Sequence, residues 1–162
     1  MPKVWSRREP VPPMTRIYSA PRLTAPLPRA GLFKQLDLAR RHALTVWVVA
    51  PAGAGKTMLA ASYLKNCRAK HLWYQLDADD ADPATFFYYL REAAARMVPR
   101  ARQVLPLLTP EYLMGLATYT QNFFTQLGTL FKTPFLLVFD NVQKLPDDCS
   151  IHALLAEGLA TL

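Results

Sequence analysis

The sequence predicts an α/β fold built on a parallel sheet. Three short apolar runs, at 45–50, 71–77 and 135–141, have the length and the β-branched or aromatic content of buried strands. Stretches with helical spacing follow each of them, and strands that alternate with helices are typical of a parallel sheet. The chain has 162 residues, 51% hydrophobic and 19% charged, which is enough for one domain with a buried core.

The N-terminal segment differs in composition from the rest of the chain. Residues 1–31 carry six Lys or Arg and one Glu, so they hold +5 of the net charge of +7, and they contain seven of the fourteen prolines. Proline fixes φ and lacks an N–H, which excludes a regular helix or a central strand. We expect a basic, extended tail over 1–20 and a domain over 21–162. The tail suits contact with a nucleic acid or an acidic partner, or a solubilising role, and the lack of interleaved aromatic residues favours the solubilising role.

The helices are predicted from apolar spacing and from start signals. A helix is expected over 30–44, and another over 57–66 directly after the first strand. The apolar positions that define the first helix are Leu32, Phe33, Leu36, Leu38 and Ala39. Asp82–Pro83 and Thr109–Pro110 each place an N-cap residue before a proline at the first helical position. They predict two helices, which end near Met97 and Thr133, and a last helix is expected within 147–162.

The stretch APAGAGKT, residues 50–57, has the composition of a phosphate-binding loop. Glycines allow successive backbone N–H groups to point inward, and the N-terminus of the following helix attracts an anion. Lys56 can reach the β- and γ-phosphates of a nucleotide, and Thr57 can ligate Mg²⁺. The first glycine of the usual pattern is replaced by alanine, at a position that leaves the strand and does not wrap the phosphate. The predicted nucleotide-binding residues are Ala50, Pro51, Ala52, Gly53, Ala54, Gly55, Lys56, Thr57 and Met58.

A carboxylate ends the third apolar run. FLLVFD finishes at Asp140, and ligands of open α/β sheets bind at the carboxyl ends of the strands. We therefore expect Asp140 to lie beside the loop and to hold Mg²⁺ together with Thr57. The loop and the carboxylate together predict a nucleotide site with ATP and Mg as cofactors.

Two further clusters have alternative explanations. A calcium loop that starts at Asp77 would need Gly at its sixth position and Glu at its twelfth, where the chain has Asp82 and Tyr88. A solvated loop with a helix cap is the simpler explanation. Four arginines suit either a phosphate clamp or a solvated helix face, and we favour the helix face: Arg91, Arg96, Arg100 and Arg102.

Four segments within residues 19–145 carry a family resemblance: SAPRLTAPLPRAGLFKQL, VVAPAGAGKTMLAASYL, HLWYQLDADDADPATFFYYLREA and PFLLVFDNVQKL. They resemble the nucleotide-binding domain of the MalT-like large ATP-dependent LuxR-type transcription regulators, which belong to the STAND class of P-loop NTPases. The resemblance implies a P-loop NTPase-like three-layer sandwich in which ATP acts as a switch. It also implies self-association driven by ATP and an effector, and DNA binding through a C-terminal module that these 162 residues do not include.

The resemblance has two consequences. The family pattern usually has a second acidic residue after the strand's Asp, where this chain has Asn141. An amide can orient water but cannot take its proton, so we expect Asn141 to support at most slow ATP hydrolysis. The related ATPases also place another strand between the loop strand and the Asp strand, and no strand is predicted after Asn141. The sheet is therefore expected to be incomplete at the C-terminus, with a gap between 45–50 and 135–140.

Three function classes follow. The first is an ATP-binding regulatory switch, the second a small-molecule P-loop phosphotransferase, and the third a basic adaptor with a vestigial loop. A direct ladder between 45–50 and 135–140 would favour the phosphotransferase. We expect a cytoplasmic protein that binds ATP or ADP and no membrane, because no apolar run reaches about 18 residues. Cys67 and Cys149 have no metal-binding spacing and suit a reducing compartment.

Overall fold

The computed structural model describes residues 18–23, 29–131 and 133–162. Within them, strand β1, His71–Gln75, pairs in parallel with strand β2, Leu136–Asp140. Helices accompany this two-stranded sheet, so the α/β class predicted from the sequence is confirmed. Most of the predicted N-terminal tail lies outside the described residues.

Six α-helices are formed by the described residues, and three short 3₁₀ turns lie between them. The helices are α1 Ala30–His42, α2 Lys56–Cys67, α3 Pro83–Met97, α4 Ala101–Val104, α5 Leu116–Leu130 and α6 Ile151–Leu159. The start of α3 is as predicted, because the Asp82 carboxylate accepts the N–H of Thr85 at 2.9 Å and Pro83 is the first helical residue. The single helix predicted from residue 110 is instead a 3₁₀ turn, Pro110–Gly115, followed by α5. Glycine at this junction favours the break, since it weakens a helix interior.

The two faces of β1 pack against different helices. Leu72 and Tyr74 join the main core with α3, α5 and α6, whereas Trp73 packs against Ala61 and Leu64 of α2. This alternation is what a strand with helices on both sides requires. The main core is rich in aromatic rings, and five of them are at most 1% exposed: Tyr74, Phe86, Phe87, Phe123 and Phe124.

The predicted strand at 45–50 is wrong. The segment is irregular and has no ladder partner among the described residues, and its Trp47 and Val49 are 63% and 88% exposed. Its β-branched residues fit a pleated surface, but a strand exists only where a neighbouring strand accepts its hydrogen bonds. Sequence composition therefore identified a segment suited to a sheet without identifying a partner for it.

A groove of about 900 Å³ lies between β2 and the 44–48 segment. Side chains from both faces of β2 line this groove: Leu136 and Val138 from one face, and Leu137 and Phe139 from the other. The groove therefore follows the edge of the strand. No ladder joins 45–50 to β2 within the described part of the chain. β2 is consequently only half-buried along its length, where full burial was predicted.

Helices α5 and α6 approach closely at Gly158. A Cβ atom added there would lie closer than 3.0 Å to three ring carbons of Phe124, which is fully buried. A Cβ added to Gly128 of α5 would meet only the tip of the Leu162 side chain, at 3.2 Å. The two glycines thus differ in the room around them, although both lie within helices.

We predict that Gly158→Ala lowers the free energy of unfolding by about 1–3 kcal/mol, because the added methyl group overpacks the core. Alanine alone would favour the helix by up to about 1 kcal/mol, so Gly128→Ala should be neutral or stabilising. Urea denaturation of the two variants and the parent chain measures both effects. An equal change in the two variants would contradict the packing described here.

Candidate functional site

The loop before α2 has the backbone that its glycines allow. The N–H of Ala54 donates to the carbonyl of Pro51 at 3.2 Å and closes a turn. Gly53 and Gly55 have φ of 78° and 82°, in the left-handed region where a Cβ atom is strained. Gly55 is also the N-cap of α2. The glycines therefore lie where the predicted loop needs them, directly before a helix N-terminus.

Lys56 folds back over the start of this loop. Its ammonium group donates to the carbonyls of Ala50 at 2.7 Å and Pro51 at 3.1 Å. The side chain is half-buried, and the neighbouring loop residues 51–54 are exposed, as is Met58. The positive charge is thus held at the solvent-accessible loop and not in the core.

Thr57 and Asp140 are brought together from positions 83 residues apart. The Thr57 hydroxyl donates to the Asp140 carboxylate at 2.9 and 3.1 Å, which joins the first turn of α2 to the end of β2. Hydroxyl and carboxylate oxygens are ligands suited to Mg²⁺, which usually keeps several waters and takes phosphate oxygens beside one or two carboxylates. The described residues contain no cluster of three His, Cys, Asp or Glu side chains suited to a metal. A cation here would therefore need oxygens from a ligand or water.

Asn141 follows Asp140 in the left-handed conformation, with φ of 63°. Asparagine adopts this region more readily than most residues. Its side-chain oxygen accepts a long hydrogen bond from Gln143 at 3.4 Å, and both residues line the groove with Lys56 and Asp140. No sequence pattern marks Gln143, because the 3₁₀ turn Val142–Lys144 is what returns its side chain toward Asn141.

The arginine series joins α3 to α4. Arg91 donates to the backbone carbonyls of Leu105, at 3.1 Å, and of Arg102. Arg102 pairs with Glu92 at 2.6 Å, and this hydrogen bond lowers the pKa of Glu92. Arg96 lies over the ring of Tyr18, 4.5 Å from its centre. Arg96, Arg100 and Arg102 are exposed, in agreement with the solvated face favoured from the sequence, whereas Arg91 is half-buried. The contacts of Arg91 and Arg102 with neighbouring parts of the chain argue against a phosphate clamp at the loop.

The acidic loop is a helix cap. The buried Asp80 carboxylate accepts the Tyr74 hydroxyl at 2.7 Å and the N–H of Asp77 at 2.9 Å. The Asp77 carboxylate in turn accepts the N–H of Asp79 at 3.0 Å. These bonds form a capping box around a 3₁₀ turn and account for the cluster of carboxylates.

Helix α1 is attached to α2 mainly through Tyr63. The Tyr63 hydroxyl donates to Asp37 at 2.5 Å, and the ring contacts Phe33 edge-on at 5.7 Å between centres. Burial, followed by this hydrogen bond, raises the pKa of Tyr63 to about 12. The apolar face predicted for α1 is only partly used, because Leu32 and Leu38 are 38% and 60% exposed. Polar and aromatic contacts thus replace the buried stripe that the spacing predicted.

Comparison with known proteins gave no matching family model, no matching curated protein and no matching solved structure. Among the described residues, the helices fall short of the length and apolarity that a membrane crossing needs. The function of the site therefore has to be argued from its own residues and their geometry.

We predict that stability falls as pH rises from about 10 to 12, because unfolded tyrosine ionises near pH 10 whereas Tyr63 keeps its proton to about 12 in the fold. The folded state then binds more protons than the unfolded state, so alkali favours unfolding. Tyr63→Phe should make this fall smaller. Tyr119, whose pKa burial also raises, contributes in the same direction, so part of the fall should remain.

Denaturant unfolding at several pH values measures the effect of Tyr63. Tyr88→Phe is the control, since the Tyr88 side chain is exposed, and it should leave the pH profile unchanged. A Tyr63→Phe profile that parallels that of the parent chain would rule out the protonated Tyr63–Asp37 contact as the cause.

Proposed function

We propose that this chain is the nucleotide-binding part of an ATP-dependent regulatory switch of the LuxR/MalT type, and that it binds Mg-ATP with slow or no hydrolysis. The observation that carries the proposal is the 2.9 Å contact between the Thr57 hydroxyl and the Asp140 carboxylate. This contact brings together the two residues that were predicted from the sequence as oxygen ligands of Mg²⁺, which are 83 positions apart in the chain. The family assignment depends on the sequence resemblance, and it goes beyond the α/β class.

The proposed phosphate cradle uses three features of the loop. The left-handed Gly53 and Gly55 shape the backbone, and the N-terminus of α2 supplies partial positive charge. Lys56 supplies a full charge, and its ammonium can exchange the carbonyls of Ala50 and Pro51 for phosphate oxygens. Bound Mg²⁺ would neutralise phosphate charge, with Thr57 and Asp140 as its protein ligands. The three features of the cradle belong to the loop and α2, and they are present without a strand at 45–50.

The chemistry of Asn141 supports binding over turnover. Its amide lies directly after Asp140 and beside that of Gln143, so both can hydrogen-bond a water in the groove. Neither amide accepts a proton at neutral pH. Among the described residues that line the groove, Asp140 carries the one side-chain carboxylate, and that group is proposed as a ligand of Mg²⁺. We therefore propose a nucleotide-controlled switch between ATP and ADP forms, and at most a slow ATPase.

Two observations favour the switch over a small-molecule phosphotransferase. The described residues contain no ladder between 45–50 and β2, which the phosphotransferase interpretation requires. Arg91 and Arg102 are bound to Leu105 and Glu92 and so do not form a lid over the loop. The fold we propose is an incomplete P-loop NTPase-like three-layer sandwich in the cytoplasm. Its exposed 44–49 segment and open strand edge suit self-association, and DNA contact would need a separate module.

We predict that Lys56→Ala abolishes measurable Mg-ATP binding while the fold survives, because the ammonium serves the loop and not the core. Calorimetric titration measures the affinity, and circular dichroism checks the fold. Lys65→Ala, in the exposed last turn of the same helix, is the matched control and should bind as the parent chain does. Equal affinities of the Lys56 variant and the parent chain would refute the phosphate site.

We also predict that hydrolysis is well below the roughly 1–100 s⁻¹ typical of kinases. Asn141→Asp should raise turnover, because a carboxylate can take the proton of the attacking water, and it should not tighten binding. Phosphate release measured under single-turnover conditions compares the two chains. Fast turnover in the parent chain would overturn the proposed role of Asn141.

A further inference from the structure

Helix α1 runs parallel to α2, and the two helices are in register. Arg29, the N-cap of α1, lies at Gly55, the N-cap of α2. Further along, Asp37 bonds to Tyr63, and at the far end Nη1 of Arg40 lies 3.8 Å from the sulfur of Cys67. Each pair is separated by 26 or 27 positions, so contacts at both ends and in the middle agree on one alignment. This alignment brings both helix N-termini to the phosphate-binding loop.

The guanidinium of Arg29 lies against the loop itself. A Cβ atom added to Gly55 would be 3.4 Å from one terminal nitrogen of Arg29 and 3.9 Å from the other. The group therefore faces the glycine that caps α2, one residue before Lys56. The backbone carbonyl of Arg29 accepts the N–H of Phe33 at 3.0 Å. Its guanidinium makes no hydrogen bond or ion pair with another residue within 18–23, 29–131 and 133–162.

The charges at these helix ends are the reverse of the usual pattern. Helix N-termini favour carboxylates and disfavour cations, yet the first turns of α1 and α2 contain no acidic residue. Arg29 and Lys56 instead add two full positive charges to two adjacent positive helix ends. The carboxyl-terminal end of α1 has the expected pattern, with Arg40, Arg41 and His42 in its last turn. A polyanion is the ligand that makes such an arrangement favourable.

We propose that Arg29 is a second phosphate-binding residue of the nucleotide site, which α1 delivers to the loop through its contact with Tyr63. This inference depends on the proposed ATP site and extends it to a residue outside the loop motif. The planar guanidinium can bind two phosphate oxygens at once, whereas the ammonium of Lys56 acts as a point charge. Arg29 thus acts on the phosphate chain and not on the base or the ribose.

The test titrates the parent chain and its variants with Mg-ATP and, separately, with inorganic tripolyphosphate, which has no base or ribose. Arg29→Gln should weaken both ligands by roughly ten- to hundredfold, the worth of a hydrogen bond to a charged group. Arg29→Lys should bind both ligands more tightly than Arg29→Gln does, but less tightly than the parent chain. The affinity of Arg29→Gln should also fall less steeply with salt concentration than that of the parent chain. Arg41→Gln, at the opposite end of α1, removes the same charge and should leave both affinities unchanged.

The outcomes separate this inference from the proposed function. If the parent chain binds neither ligand, the nucleotide site itself is wrong. If the parent chain binds both and Arg29→Gln binds them equally well, only the role of Arg29 is overturned. A variant that loses ATP but keeps tripolyphosphate would place Arg29 on the nucleoside and likewise overturn the phosphate assignment. Equal losses in Arg29→Gln and Arg41→Gln would indicate a general charge effect and would also reject it.

Discussion

The parallel ladder between β1 and β2 is the constraint on which the rest of the structure depends. It pairs five residues of each strand, and His71 is matched with Leu136, 65 positions later (136 − 71). Hydrogen bonds from Leu136 to Lys70 at 2.8 Å and from Leu76 to Asp140 at 2.9 Å extend it at both ends. The ladder separates the α2 layer from the main core and fixes the position of Asp140 beside Thr57. The candidate site is therefore a consequence of sheet register as much as of the loop sequence.

Local sequence signals predicted the elements whose causes are local. The start of α3 depends on Asp82 and Pro83, which are adjacent in sequence, and the structure contains the cap that they predict. The location of Asp140 at the end of a strand also follows from its own neighbours. The contact of Asp140 with Thr57 could be expected because strand ends and helix N-termini meet at one edge of an α/β sheet.

Features that depend on distant partners could not be predicted in the same way. The 45–50 segment has the composition of a strand, but a strand also needs a neighbour, and within the described part of the chain β2 pairs with β1 on one edge alone. Arg29 lies in a proline-rich basic segment where nothing in the sequence singles it out. Its location at Gly55 follows from the contact of α1 with Tyr63, which replaces most of the apolar contact that the spacing of α1 predicted.

The separation of Thr57 and Asp140 in the chain also has a consequence for synthesis. At about 5–20 residues per second on the ribosome, the 83 residues between them take roughly 4 to 17 s to make. For most of this interval α2 has been translated, whereas the strand that carries Asp140 has not. Trp73 follows α2 closely in the chain, but Leu136 and Val138 of β2, which pack against the same cluster, are made only at the end of the interval. The cluster of α2 and Trp73 therefore lacks the cover of β2 until translation reaches that strand.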